Sequence, residues 1–493
     1  MPRAPVWIFI VFAVTGPAAL AQEGTFDLRG AVGADELLDD PFSDPAEDPD
    51  LDQILDDDPN PVVGLPPFSN DAAAEEGSTG LGTAGRVVAV RPFSDRIAAV
   101  SSVDGVRGAG LDDSVFGGDT TFDAAEGLRF GRFTIFPEIT VTGGWTDNTS
   151  QSASGEAGSL YRIVPNITAS SDWSRHQLNF ALRGSYVGYP DSSEDSDPNI
   201  TASAGYLFDL SASTTLDAEI SYSYTRESAS SAESASGRDD IHEIEAEVGA
   251  RRDVGLLGLR ASAGIDRNIY TADDAVFSSN SSSRDNTLYS AGLRLDSNDG
   301  GMLSPFVEGS LLARRFDREC SDSLCEKRDS TGYEIRGGLV IGAGPKLTGE
   351  LGAGWRIEDL EDERLDNLAG LVVEGSLVWS PSRMTTVTAG LGTSFETTDI
   401  DGASGSIIYS GDVRLAHGFN NRLVGEVGAG YSYRTYQGVS IDEQTLTGLF
   451  GLTYALTQNV ALRTGYTYRH FTSSNSGSDY TQNSVEAGLR FRH

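Results

Sequence analysis

From Arg129 to the C-terminus the chain repeats one pattern: stretches of alternating apolar and polar residues, joined by connections that are by turns short and long. In Gln444–Phe471, for example, Leu446, Gly448, Phe450, Leu452 and Tyr454 alternate with Thr445, Thr447, Leu449, Gly451 and Thr453. After Leu456-Thr457-Gln458 the alternation resumes with Val460, Leu462, Thr464, Tyr466 and Tyr468. Side chains on a strand point to opposite faces with period two, so each stretch reads as a two-faced strand and each close pair as an antiparallel hairpin. Eighteen strands are read this way, near 129–146, 159–172, 176–189, 199–210, 213–226, 241–252, 256–270, 286–297, 303–316, 330–342, 345–358, 367–379, 383–396, 406–417, 421–435, 443–456, 458–472 and 482–492. Short connections such as Ser211-Ala212 and Ala343-Gly344 take strict turns with long polar ones such as 227–240, 271–285, 317–329 and 397–405. That order puts every short turn at one rim and every long loop at the other, with both ends of the strand array on the short-turn side. Transmembrane barrels have this asymmetry, and a soluble sandwich has no reason to show it. The expected fold is an all-β, transmembrane antiparallel β-barrel of about eighteen strands over 129–493.

A membrane barrel needs an apolar outer face and aromatic residues at both interfaces. On the 213–226 strand, Leu216, Ala218, Ile220, Tyr222 and Tyr224 form one face and Thr215, Asp217, Glu219, Ser221 and Ser223 the other. Tyr222, Tyr224, Tyr431, Tyr433, Tyr466 and Tyr468 fall near long-loop ends, and Trp173, Trp379 and Phe419 near short turns, as two girdles would. The last strand ends Val485, Ala487, Leu489, Phe491 on its apolar face. Its aromatic near the end is similar to the signal read by the barrel-assembly machinery, although Arg492 and His493 follow it.

The rest of the chain fits export. Arg3, the apolar run Val6–Val14 and Ala19-Leu20-Ala21 read as a signal peptide over 1–21. Its apolar run is too short to span a bilayer, which takes about 20 residues. Residues 22–85 read as a disordered acidic segment: Asp35–Asp58 holds twelve acidic residues and no base. Residues 86–128 are less polar and read either as a short periplasmic piece or as a segment entering the barrel. The net charge of −37 argues against nucleic acid as a partner.

Residues 129–189 carry a more specific likeness. Gly131–Phe133 leads to Pro137, then to Gly143-Gly144-Trp145 and Asp147-Asn148; Pro165 begins a second run that ends Ser171-Asp172-Trp173-Ser174-Arg175-His176. This resembles the putative β-barrel porin family of Gram-negative outer membranes, over about 129–493. The resemblance implies an outer-membrane barrel with lipid and lipopolysaccharide around it, porin-like, some members being associated with exopolysaccharide export. It supplies no catalytic residue and no cofactor.

The chemistry the chain could hold is that of a polar lumen. Expected inward charges are Glu138, Asp217, Glu219, Glu243, Glu245, Glu247, Arg183, Arg251, Arg260, Arg336, Arg414, Arg434 and Arg463, with Glu308, Glu350, Glu374, Glu426, Arg314 and Arg356 beside them. They either pair across strands or line a water-filled pore with a mild cation preference. Of the five histidines, His242, His417 and His470 fall on outward positions and His176 beside a short turn, so no nucleophile–His–acid set and no His/Cys metal cluster is read. Cys320 and Cys325 are expected to pair within one long loop. The functional expectation is a non-enzymatic channel for passive passage of small polar solutes or saccharides. The alternatives are an export barrel for exopolysaccharide, or a structural or adhesive surface barrel without transport.

Overall fold

The computed structural model describes residues 127–493, apart from 174–175, 193–195, 212, 237, 273–283, 298–301, 320–324, 343–345, 383, 421 and 476. The leader at 1–21, the acidic stretch 22–85 and nearly all of 86–128 lie outside the described residues. The strands are β1 (Leu128–Phe130), β2 (Phe133–Thr146), β3 (Gly158–Ser171), β4 (His176–Gly188), β5 (Asp197–Ser211), β6 (Thr214–Arg226), β7 (Asp239–Val254), β8 (Leu257–Ala272), β9 (Asn286–Ser297), β10 (Leu303–Phe316), β11 (Ser330–Gly342), β12 (Leu347–Leu360), β13 (Leu368–Ser382), β14 (Thr385–Glu396), β15 (Gly405–Gly418), β16 (Leu423–Gln437), β17 (Asp442–Ala455), β18 (Val460–Ser473) and β19 (Tyr480–Arg492). Each of β2 to β19 pairs antiparallel with its neighbours in sequence, and β19 pairs back onto β2, so eighteen strands close on themselves. No helix among the described residues is long and apolar enough to cross a membrane.

One element departs from the periodicity. The expected first strand, 129–146, is broken at Gly131-Arg132, and β1 folds back onto Phe133–Ile135. The reason lies in the edge of β2. β3 takes one edge along its whole length, while β19 takes the other only down to Glu138. The backbone groups below Glu138 would be left open, and β1 supplies their partners.

The two faces of the wall are separated by period two. Ile139, Val141, Ile220, Val248, Leu293 and Ile335 stand exposed on one face. The other carries charges whose ion pairs reach past intervening strands: Arg251 of β7 to Asp296 of β9 at 3.0 Å, Arg294 of β9 to Glu350 of β12 at 2.8 Å, Arg314 of β10 to Glu358 of β12 at 3.2 Å. Side chains converge in this way only on the concave side of a curved sheet, so the charged face is the lumen and the apolar face the outside.

The seam between the first and last wall strands joins residues more than 330 apart in sequence. Its register runs from Ser484↔Thr146 to Arg492↔Glu138. Asp147 pins its upper end, accepting hydrogen bonds from the Asn483 backbone N–H at 2.7 Å and side-chain amide at 2.6 Å. Asn148 donates across it to the Thr481 carbonyl at 3.2 Å. On the lumen side Glu486 accepts from Arg162 at 2.7 Å and from the Thr142 hydroxyl at 2.7 Å, tying β19 to β3 over β2. The Asp-Asn pair that marked the family resemblance is thus the clasp of the barrel.

Along the upper half of β13 the wall is double. The β13–β14 ladder pairs Gly375 with Leu391 and the residues below it. Above that level the Thr393 hydroxyl donates to the Val373 carbonyl at 3.2 Å and accepts the Val373 N–H at 3.1 Å, in place of a backbone neighbour. Phe395 and Ile407 then lie on Leu368 and Val372, which belong to the lumen face of β13. The long-loop ends of β14 and β15 therefore lean into the barrel and narrow it.

Asp147→Ala removes the clasp but leaves the ladder. It is expected to lower unfolding free energy by about 1 kcal/mol, because the half-buried Asn483 amides lose a charged acceptor. Gly488→Val is expected to prevent closure altogether, since a β-carbon there would run into the Val141 carbonyl. Urea unfolding in detergent, followed by tryptophan fluorescence and by the mobility of unheated protein on gels, separates the two outcomes.

Candidate functional site: the lumen and its long-loop mouth

The lumen wall divides into sectors of different charge. On β9–β13 the charges form a connected lattice, in which each arginine meets at least one carboxylate. Arg294 bridges Asp296 (2.7 Å) and Glu350 (2.8 Å), Arg336 bridges Glu308 (2.8 Å) and Glu374, and Arg356 joins Arg314 on Glu358 at 2.5 Å. On β15–β19 and β2–β4, Arg414 meets Glu426 at 2.8 Å, Arg490 stands 4.0 Å from Glu138, and Arg183 and Arg463 lie on the same lumen face. Arg434 reaches Glu396 at 2.7 Å.

The sector on β6–β8 is acidic. Asp217, Glu219, Glu243, Glu245, Glu247 and Asp266 share its lumen face, and the register sets Glu219 directly opposite Glu247 and Glu245 opposite Asp266. Like charges in directly opposed positions repel, so this arrangement costs stability. Arg260 relieves only one end, bonding Asp217 at 2.7 Å and Glu247 at 2.5 Å; Arg251 is drawn away to Asp253 and Asp296. Carboxylate oxygens of Glu243, Glu245 and Asp266 come within 4.8 Å of one another. Hard cations are bound by such oxygens, so these three are the described residues able to hold one, and no histidine joins them. The arrangement as a whole attracts cations and repels anions along one side of the lumen.

Above this sector the loops cross the mouth. Loop 227–238, with a short 3-10 helix at Ala232–Ser236, reaches over to β17, where the Ala232 N–H donates to Glu443 at 2.6 Å. Loop 397–404 crosses in the other sense: the Thr397 hydroxyl stands 3.3 Å from the Tyr270 hydroxyl and accepts from Asn286 at 3.4 Å. Arg328 donates to the carbonyls of Ala403 (3.0 Å) and Ile400 (2.9 Å), and Glu326 accepts the Gly402 N–H at 3.1 Å. Arg284, 3 % exposed, sits where these loops meet. It donates to Glu227 at 3.0 Å, faces Asp239 and Glu233 at 3.8 and 4.0 Å, and lies over the Tyr270 ring at 4.1 Å. None of these loop contacts was expected from the sequence. Its one trace there is that Arg238 and Arg284 are the single bases of two long polar loops, 227–240 and 271–285.

The remaining expected residues take simpler places. Trp379 and Phe419 are exposed near short turns, and Trp173 packs edge-on against Phe133 at 5.7 Å. Near the long-loop ends, Tyr222 and Tyr224 flank His242, with the Tyr222 hydroxyl 2.9 Å from its Nδ1. Tyr431, Tyr433 and Tyr466 donate to Gln444, Asp442 and Asn483, and Tyr468 shares the face of Tyr466. His417 is 2.9 Å from the Thr385 hydroxyl, His470 is 3.1 Å from that of Thr481, and His176 stacks on Phe208 at 4.3 Å. Cys325 is disulfide-bonded; Cys320 lies outside the described residues.

A family model described as "Putative beta-barrel porin 2" matches residues 121–493. No curated protein matches the chain. Similar solved structures include the outer membrane protein opdK from Pseudomonas aeruginosa, at 13% identity and TM-score 0.37 over 73% of this chain and 99% of that one. Others are the copper transporter OprC (9%, 0.37, 74% and 81%) and the FrpB iron transporter from Neisseria meningitidis (8%, 0.36, 75% and 82%). At these values the likeness says nothing about cargo.

Two loop carboxyls at the mouth lead to an expected pH response. Burial pushes the Glu227 and Asp399 carboxyls above the ordinary range; Arg284 opposes this for both, and Glu233 adds to it for Asp399. A raised value in the closed loops means that closing binds protons. Closure is therefore favoured as pH falls toward the ordinary carboxylate value and weakened as pH rises above it. Single-channel recordings are expected to show a smaller open fraction at the acidic end, and Glu227→Gln with Asp399→Asn to flatten the dependence.

Proposed function

The chain belongs to the β-barrel porin family whose model it matches, and from that premise we propose a gated outer-membrane passage rather than a permanently open pore. The observation that carries this reading is the pair of loops across the mouth: 227–238, held by the buried Arg284 and by Glu443, and 397–404, held by Tyr270, Asn286 and Arg328. A pore for passive diffusion gains nothing from a covered mouth. A barrel that releases cargo outward does, since the cover keeps the lumen closed between transport events. Export of a polar polymer such as an exopolysaccharide therefore suits the geometry better than passive uptake of small solutes. The acidic sector on β6–β8 favours uncharged or cationic cargo over anions.

Planar-bilayer recording of the full protein tests both statements. The unmodified barrel is expected to be mostly closed. Arg284→Ala takes from Glu227, Glu233 and Asp239 the guanidinium they share. Breaking such a buried set costs about 3 kcal/mol or more, which would raise the ratio of open to closed roughly a hundredfold. Steady large conductance of the unmodified protein would return the reading to an open porin. Silence of both proteins would support a structural or adhesive barrel. In the open form, Glu243→Gln with Glu245→Gln and Asp266→Asn is expected to lower cation over anion permeability; anion selectivity before substitution would overturn the proposed role of this sector.

A further inference from the structure

The β13–β14 ladder stops where neither strand does. Its last pair toward the long loops is Gly375↔Leu391, while β13 reaches back to Leu368 and β14 runs on to Glu396. The neighbouring ladders are complete at this level: β12 follows β13 to Glu358↔Leu368, and β15 follows β14 to Glu396↔Ser406. A strand edge left open inside a bilayer finds no water to satisfy it. Here side-chain hydroxyls take the place of ladder partners. The Thr393 hydroxyl bonds both backbone groups of Val373, and the Leu371 backbone is hydrogen-bonded to the Tyr409 hydroxyl.

The residues in the overlap are patterned for a different place. The outward set of β15 includes the exposed Leu415 and Val413 and continues by alternation to Tyr409 and Ile407. That of β14 continues through Leu391 to Phe395. All three end residues suit lipid, yet they pack on Leu368 and Val372, on the lumen face of β13. Thr397, next in the same alternation, is turned across the lumen to Tyr270 and Asn286. Carried upward, the existing register would set Val373 opposite Thr393, Leu371 opposite Phe395 and Ala369 opposite Thr397, with every outward residue on lipid.

Two features make that second arrangement reachable. Gly392 and Gly411 stand at the level where the ladder stops, and glycine within a strand permits a bend there. In a bilayer the exchange is also even-handed. The flush wall gains ladder hydrogen bonds and gives up the apolar overlap, and side chains that leave the overlap meet lipid, which is as apolar as they are. We propose that the β14–β15 hairpin is a hinged part of the wall, overlapped on β13 in one state and flush with it, around a wider lumen, in the other. The hinge rests on the ladder and not on the gated reading. Its tip is the loop 397–404, so what moves at this side of the mouth is a piece of wall.

Two measurements on the full chain in lipid vesicles test this. Ala369→Cys with Thr397→Cys stand opposite each other only in the flush wall, at a separation a disulfide can span. Leu377→Cys with Ala389→Cys, opposed in the ladder as it stands, serve as the control. A minor state is populated at about 0.1–10 %, so the first pair is expected to close about ten to a thousand times more slowly than the control. The second measurement shifts the balance. In the overlap a β-carbon at Gly370 would meet the Ile407 Cδ1 at 2.6 Å and the Tyr409 hydroxyl at 3.2 Å, so Gly370→Val is expected to favour the flush wall. It should bring disulfide closure near the control rate. It should also make the fluorescence of a Phe395→Trp protein more strongly quenched by brominated lipid than without it. No disulfide between positions 369 and 397 in either background overturns the proposal, and so does quenching that Gly370→Val leaves unchanged. If one of the variants does not fold, the other measurement decides alone.

Discussion

Everything in this molecule rests on the closure of β19 onto β2. A sheet inside a bilayer has no water to satisfy an open edge, so the eighteen-strand wall exists only as a ring. Its other joints are hairpins between neighbours in sequence. The seam alone must bring together residues separated by almost the whole barrel, and the chain concentrates its strongest local chemistry there. Asp147 holds Asn483 twice, and Glu486 gathers Arg162 and Thr142 on the lumen side. β1 then completes the edge that β19 is too short to cover. Late formation of such a long-range joint is the slow kind of step, in which loop entropy is lost before contacts repay it.

The arginines make the curvature of that ring self-consistent. On a flat sheet Arg294 and Glu350 would be three strands apart and out of reach. On the concave face they meet at 2.8 Å. The planar guanidinium can serve two carboxylates at once, as Arg294, Arg336 and Arg260 do, and a lysine could not replace it with the same geometry. The acidic sector on β6–β8 is the place where this bridging gives out, Arg260 alone joining two of its carboxylates. Glu219 facing Glu247 and Glu245 facing Asp266 weaken the wall where they stand, and local rules are most often broken where a structure serves something besides stability.

Much of the wall was legible because period two is a property of consecutive residues. The strands at 286–297, 303–316 and 330–342 match their expected limits, and the inward and outward sets of β6 alternate as read. What was not legible depends on residues far apart. Nothing in 129–146 announces the break at Gly131, since its cause is where β19 ends. The lean of β14 and β15 turns Phe395 and Ile407, outward by alternation, onto the lumen face of β13. Arg284 reads as one more charge in a polar loop, because loop composition does not record how far a loop reaches or which wall it meets.

The scarcity of lysine has a separate consequence. The chain has only two, and Lys327 lies between β10 and β11 on the long-loop side, near Glu319 and Glu361. Lys346 lies exposed between β11 and β12 on the short-turn side. Side-chain primary amines thus occur once at each rim and nowhere on the strands between. The molecule carries its own chemical marker of sidedness: a reagent confined to one compartment meets one amine or the other, with no added tag.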